Sequence, residues 1–203
     1  MNSAAEETGR RILDAAFAAF GEDLYDQVSL QVVAARAGVT VQTVIRRFGS
    51  KDELYAALAR WRSEQIRSAR DATPTGDVGT AVEHLAECYE RWGADVLNVL
   101  AQERRSAAMA EVAENGRRYH RDWVARVFAS QLAKREETEL VGAQLAAVTD
   151  LYTWVVLRRH SGLDRQAATV AMRGLVDAVL RAGECGRVRS SPPTRRGTVP
   201  RLH

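Results

Sequence analysis

Apolar residues recur along this chain at three- and four-residue spacing, the signature of one-sided helices, and nowhere in strict alternation. Ile12, Leu13, Ala16, Phe17 and Phe20 predict a first helix from about Thr8 to Phe20, stopped at Gly21 and followed by a polar connector from Glu22 to Gln27. Ser29 is placed to cap a short helix, Leu30 to Ala37, with Leu30, Val33, Ala34 and Ala37 inward. Gly38 then supplies a tight turn. Thr40 caps a second short helix, Val41 to Arg47, with Val44 and Phe48 inward. Ser50 and Glu53 form a reciprocal capping box at the start of a long helix reaching about Arg70, whose apolar set is Leu54, Ala57, Leu58, Trp61 and Ile66.

Beyond a loop from Ala72 to Gly79, the pattern predicts helices over Val78–Leu100, Glu103–Val112, Gly116–Lys134, Glu139–His160 and Ala167–Arg181. The fourth of these is apolar on most of its circumference, so it should be covered on several sides. Gly162 ends it and Asp164 caps the last helix. Residues 186–203 hold proline, arginine and serine without periodicity and are expected to be a disordered basic tail. The fold class that follows is all-α, with a small head over residues 1–50 and a larger helical body over 51–185.

Composition narrows the function classes. At 203 residues, 46% apolar and 27% charged, the chain has the make-up of a globular protein. No unbroken apolar run of membrane-spanning length and no secretory leader stand out, so a cytoplasmic protein without membrane contact is expected. Cys88 and Cys185 are too few for a disulfide framework and are read as reduced thiols. The net charge of +3 misleads as to its place: from Arg181 onward six arginines face only Glu184, which leaves residues 1–180 at −2. The basic tail is either a solvated end or a nonspecific DNA contact. Within the body of the chain the informative window is Ser29–Lys51, which holds Arg36, Arg46, Arg47 and Lys51 and no Asp or Glu.

Two short helices joined at a glycine, the second free of acids, meet the requirements of major-groove reading. One helix must present hydrogen-bonding side chains to base edges while its flanks fix register on phosphates. The DNA-binding candidates are Ser29, Thr40, Val41, Gln42, Thr43, Arg46, Arg47 and Lys51. Gln42 suits adenine, and Lys51 begins a helix whose free amides could join it on a phosphate. With these residues in view, the segment from Arg10 to Leu58 resembles the TetR family of regulators. The resemblance rests on the helix with Ile12, Leu13, Ala15, Ala16 and Phe20, the turn Val33-Ala34 to Ala37-Gly38-Val39-Thr40, and Phe48, Ser50, Lys51 and Leu54 at family spacing. It implies an all-α homodimer on double-stranded DNA, usually a repressor at a palindromic operator. It also implies a C-terminal domain that binds a small effector and dimerises through its last two helices, here 139–160 and 164–182. The family usually has tyrosine where Ile45 stands and often glycine where Gln42 stands; Ile45 is expected to pack. The family's connector glycine falls early, at Gly21, so a reshaped loop is expected.

In the body, Tyr89, Trp92, Met109, His120, Trp123 and Trp154 are candidates for the wall of a ligand cavity, or equally for ordinary core packing at helical spacing. An apolar or cationic molecule near Trp92 and Trp123 would use their π faces. His84 and Cys88 are one turn apart, but no third ligand accompanies them, so no metal and no cofactor are expected. No nucleophile elbow, phosphate loop or dinucleotide fingerprint is present, so no catalytic residue is assigned and the chain is not expected to be an enzyme. Glu136-Glu137 is read as charged surface. The rival to a DNA-binding regulator is an all-helical protein–protein interaction module.

Overall fold

The computed structural model describes residues 3–23, 25–105, 107–135 and 137–185, and the expected basic tail lies outside them. Among the described residues the regular structure is entirely helical: α1 Ser3–Glu22, α2 Leu30–Ala37, α3 Val41–Phe48, α4 Lys51–Asp71, α5 Val78–Gln102, α6 Ala107–Val127, α7 Ala129–Leu132, α8 Thr138–Val148, α9 Leu151–Val155 and α10 Arg165–Cys185. A 3₁₀ turn at Tyr25–Gln27 and a π turn at Val156–His160 complete the order.

The chain packs around two apolar clusters. The first joins Ile12, Ala16, Val33, Val44 and Leu54 from α1 to α4, and it also takes in Met109 and Val112 of α6. The second gathers Leu85, Trp123, Phe128, Leu145, Trp154 and Met172 from α5 to α10. The long helix α4 runs from the first cluster, where Leu54 and Leu58 are buried, to the neighbourhood of the second, where Arg70 is buried.

Four sequence expectations need correction. First, α1 does not stop at Gly21 but continues through it to Glu22, because Gly21 stays out of the left-handed region that would end a helix. Second, the connector after α1 is not merely polar. Tyr25 turns inward and packs against Phe20 and Tyr55, with ring centroids 5.6 and 5.3 Å away.

Third, the two helices expected over 103–112 and 116–134 are one helix, α6, with the single turn α7 after it. Met109, Val112, Ala113, His120 and Trp123 keep one buried face in phase across Gly116, and a lone glycine costs a helix only about 1 kcal/mol. Fourth, the segment 139–160 is not continuous. Thr149, fully buried, turns its hydroxyl back onto the Leu145 carbonyl at 2.6 Å, and Asp150 caps α9 by accepting from the Tyr152 amide at 2.8 Å. By length and composition alone, residues 138–160 do qualify as a membrane span, against the expectation from unbroken apolar runs. Length and composition are weak grounds for a span, and here the helix is interrupted midway by a capping aspartate. The segment buries Val141, Leu145, Leu151 and Trp154, while Leu140, Tyr152 and Val156 are exposed, as are Val170 and Leu175 on α10.

Candidate nucleic-acid interface and internal cavity

The head is fixed by caps that the sequence spells out locally. Ser29 Oγ accepts from the Val32 amide and Thr40 Oγ1 from the Thr43 amide, at 3.3 and 3.2 Å, so both short helices begin on a satisfied donor. Gly38 closes α2 at φ 63°, a left-handed conformation that L side chains rarely adopt, and its amide returns to the carbonyls of Ala34 and Ala35. Arg11 of α1 holds this turn from outside by donating to the Ala37 carbonyl at 2.6 Å. Only half of the expected capping box forms: Ser50 Oγ accepts from Glu53 N at 3.1 Å, while the Ser50 amide goes to the Phe48 carbonyl instead.

These caps set the rotation of α3. Val44 faces the core at 0% exposure and Phe48 packs beside it, so Gln42, Ile45, Arg46 and Arg47 point outward. Thr40 is exposed, and its hydroxyl lies 2.9 Å from that of Thr43. Val41 and Thr43 are half-buried. Arg46 has no acidic partner among the described residues, and Arg47 lies over the backbone of Gly9 on α1, where an added Cβ would fall 2.3 Å from its guanidinium. Arg36, by contrast, is neutralised by Glu22 at 2.7 Å, which also holds the Glu22 carboxyl below its usual range. Ile45 was expected to pack, but at 39% exposure it stands on the outward face, because Val44 and Phe48 fill the inward positions.

Lys51 is placed less freely than the arginines. Its ammonium donates to the carbonyls of Tyr25 and Val28, at 2.8 and 2.9 Å, and sits 4.3 Å from the Tyr25 ring centre. One N–H remains for a phosphate. The same connector is tied to α4 by a short hydrogen bond from the Tyr25 hydroxyl to Asp52. Burial and that carboxylate both push the Tyr25 pKa far above the usual phenol value. Sequence reasoning singled out neither Tyr25 nor Arg11. Tyr25 is hidden among polar neighbours, and Arg11 resembles any surface arginine.

In the body, a cavity of about 170 Å³ opens between α1, α4, α5 and α6. Tyr89, Trp92 and His120 line it, together with Leu58, Ile66 and Arg70. The remaining sequence candidates do not reach it. Met109 is fully buried in the first apolar cluster, Trp123 packs edge-on against Phe128, and Trp154 donates its indole N–H to Glu90. The π faces expected to receive a cation are also occupied. Arg70 lies 4.6 Å from the Trp123 ring centre and Arg91 4.6 Å from that of Trp92.

The polar centre of this region is a chain of hydrogen bonds from α4 to α8. Arg70 Nη2 donates to His120 Nδ1 at 2.8 Å, which assigns the imidazole proton to Nε2; that atom lies 3.1 Å from the Ala146 carbonyl and 3.3 Å from the Thr149 hydroxyl. Burial, and next the Arg70 charge, push the His120 pKa down to about 4, so the ring is neutral at physiological pH. The Arg70 carbonyl is held by Trp123 Nε1 at 3.2 Å and by Arg126 at 3.3 Å. Cys88 borders the cavity as a buried thiol whose pKa is raised by that burial, the condition of an unreactive cysteine.

Residues 12–58 match the family model of bacterial regulatory proteins of the tetR family, a span that contains the whole cap-and-turn arrangement from Ser29 to Ser50. This head belongs to the TetR family. A transcriptional regulator from Rhodococcus sp. RHA1 superposes at a TM-score of 0.70 with 19% identity, over 87% of this chain and 97% of that one. A regulator from Pseudomonas aeruginosa PAO1 gives 0.67 at 20% identity, over 91% and 95%. SmeT in complex with triclosan gives 0.62 at 21% identity, over 96% and 100%. At these identities the likeness establishes the fold alone, over the matched residues. No curated protein matches its sequence significantly.

The TetR-family match over residues 12–58 and the all-helical body with the fold of known transcriptional regulators support a DNA-binding regulator. On the outward face of α3, Gln42 offers an amide and Ile45 offers only apolar contact.

Proposed function

We propose that the protein is a ligand-responsive repressor that binds a palindromic operator as a homodimer. The head, residues 1–50, contacts DNA; the body, 51–185, holds the effector and the dimer interface. The observation that carries this reading is the outward face of α3, free of acids and bearing Arg46 and Arg47 without carboxylate partners among the described residues. Thr40, Gln42 and Thr43 are the base or near-base contacts, with Gln42 reading adenine and Ile45 against a thymine methyl. Arg46 and Arg47 fix register on phosphates, Lys51 adds its one free N–H, and Ser29 and Val41 border the groove.

Leu140, Tyr152, Val156, Val170 and Leu175 support dimerisation through residues 139–160 and 164–182, since a free chain would leave them in water. The cavity supports an effector role, and among proteins of this fold SmeT has been seen with triclosan bound. The effector shifts the population toward head separations that do not fit the operator. Such a regulator works in the cytoplasm, away from membranes, and needs no catalytic group.

Footprinting on the DNA flanking its own gene tests the reading. The expected result is protection of a two-fold symmetric site with half-sites about one helical turn, roughly 34 Å, apart. A dimer in solution that binds no duplex tightly at low salt would instead favour a protein–protein interaction module.

A further inference from the structure

We propose that the cavity beside α4 takes a small organic anion, a carboxylate on a single-ring or short-chain apolar body, whose acid group pairs with Arg70. The proposal rests on the effector-site reading of this cavity and names the chemistry of its ligand. Arg70 is 6% exposed, lines the cavity, and has no carboxylate within salt-bridge distance among the described residues. Its Nε is buried without any hydrogen-bond partner. Its guanidinium contacts are the neutral His120 ring at 2.8 Å and the faces of Tyr119 and Trp123 at 5.3 and 4.6 Å. A buried guanidinium with an open donor is a costly arrangement unless something negative completes it.

Of the other charges on the wall, Arg67 lies 5.0 Å from the Tyr119 ring centre and adds a second positive charge, and the rest are paired or engaged. Arg62 pairs with Asp95 at 3.0 Å, and Arg117 with Glu103 at 2.8 Å. Asp150 is engaged as the cap of α9. A cationic ligand would therefore meet no free carboxylate on α4 or α5 and would face Arg70, whereas a carboxylate meets a guanidinium whose charge no acid balances among the described residues. The body of the ligand follows from the remaining wall. Leu58, Ile66, Tyr89, Trp92, Val96 and Val112 are apolar or aromatic, and about 170 Å³ is close to the engineered cavity of roughly 150 Å³ known to hold benzene. Gly116 and Asn98, both exposed, mark where the cavity meets solvent.

The test titrates the full-length protein with benzoate, hexanoate, benzamide and benzylamine, reading intrinsic tryptophan fluorescence, to which Trp92 in the wall contributes, with calorimetry alongside. Benzoate and hexanoate should saturate, with benzamide and benzylamine at least about tenfold weaker, the discrimination expected of one charge-assisted pair. Arg70→Gln should weaken benzoate at least about tenfold and leave benzamide unchanged. If circular dichroism finds that variant unfolded, Arg70→Lys, which keeps charge but loses the fork, should give an intermediate loss. Benzamide or benzylamine binding as tightly as benzoate, unaltered benzoate affinity in a folded Arg70 variant, or no saturation by either carboxylate below about 10 mM would each overturn the proposal. Operator release is measured separately by mobility shift. Benzoate that binds without releasing DNA would leave the anion site standing and overturn the effector role.

Discussion

Arginines in the head and in the body carry the same charge into opposite surroundings. On α3, Arg46 and Arg47 are exposed and free of carboxylates among the described residues, so they keep their hydration and remain available to any passing phosphate. In the body, Arg70 is equally without a carboxylate but lies buried between Trp123, Tyr119 and His120. The first kind of site is nonselective and weakened by salt, because screened charges on a surface attract every polyanion alike. The buried kind is screened little and shaped closely, so it selects by fit. The first kind lies on α3, just before α4 begins, and the second near the far end of α4.

The contrast fails first if the two surroundings prove energetically alike. Trp123→Ala removes a fully packed indole and its hydrogen bond to the Arg70 carbonyl, and should cost about 3–5 kcal/mol in urea unfolding. Arg46→Ala should stay within about 0.5 kcal/mol of the parent protein. Similar losses in the two variants would erase the distinction.

A second measurement reads the buried network through pH. The folded His120 pKa is lowered from 6.5 to about 4, so the unfolded chain binds the extra proton between those values. Stability from this group is fully present above pH 6.5 and is lost as pH falls toward about 4, by about 3 kcal/mol in all. His120→Gln should remove that share of the acid sensitivity; an unchanged pH profile in the variant would place the titration elsewhere.

The head is probed by its ions. The double change Arg46→Ala and Arg47→Ala should reduce the slope of log affinity against log salt by about two and weaken all duplexes alike. Loss confined to the specific operator would instead make these residues base readers. The smallest effect belongs to Gln42→Ala, which should relax preference at one base pair by about 1 kcal/mol in competition assays. No change at any position would remove Gln42 from the groove.

The two regions also differ in how far the sequence discloses them. Ser29, Gly38, Thr40 and Ser50 act on amides within a few residues, so cap chemistry and spacing were enough to place α2, α3 and the start of α4. The body's decisive contacts are remote in sequence. Arg70 and His120 lie on different helices, and neither periodicity nor composition brings them together. Tyr25 was hidden by its polar neighbours, and the interruption at Thr149 by an apolar rhythm that runs straight through it. Among the proposed pocket residues, an aromatic at helical spacing could not announce whether it faced a void or a neighbour. Tyr89, Trp92 and His120 face the void; Met109, Trp123 and Trp154 do not.

Helix α4 is held at both ends. Lys51 is stapled to the carbonyls of Tyr25 and Val28 in the head, Arg70 is clasped by His120 in the body, and 21 residues of unbroken helix lie along α4. Such a rod is about 31 Å long and does not flex in the middle. Pivoting it by roughly 5° at the Arg70 end swings the Lys51 end sideways by about 3 Å. That travel equals the length of a hydrogen bond, enough to carry a guanidinium on α3 out of reach of its phosphate.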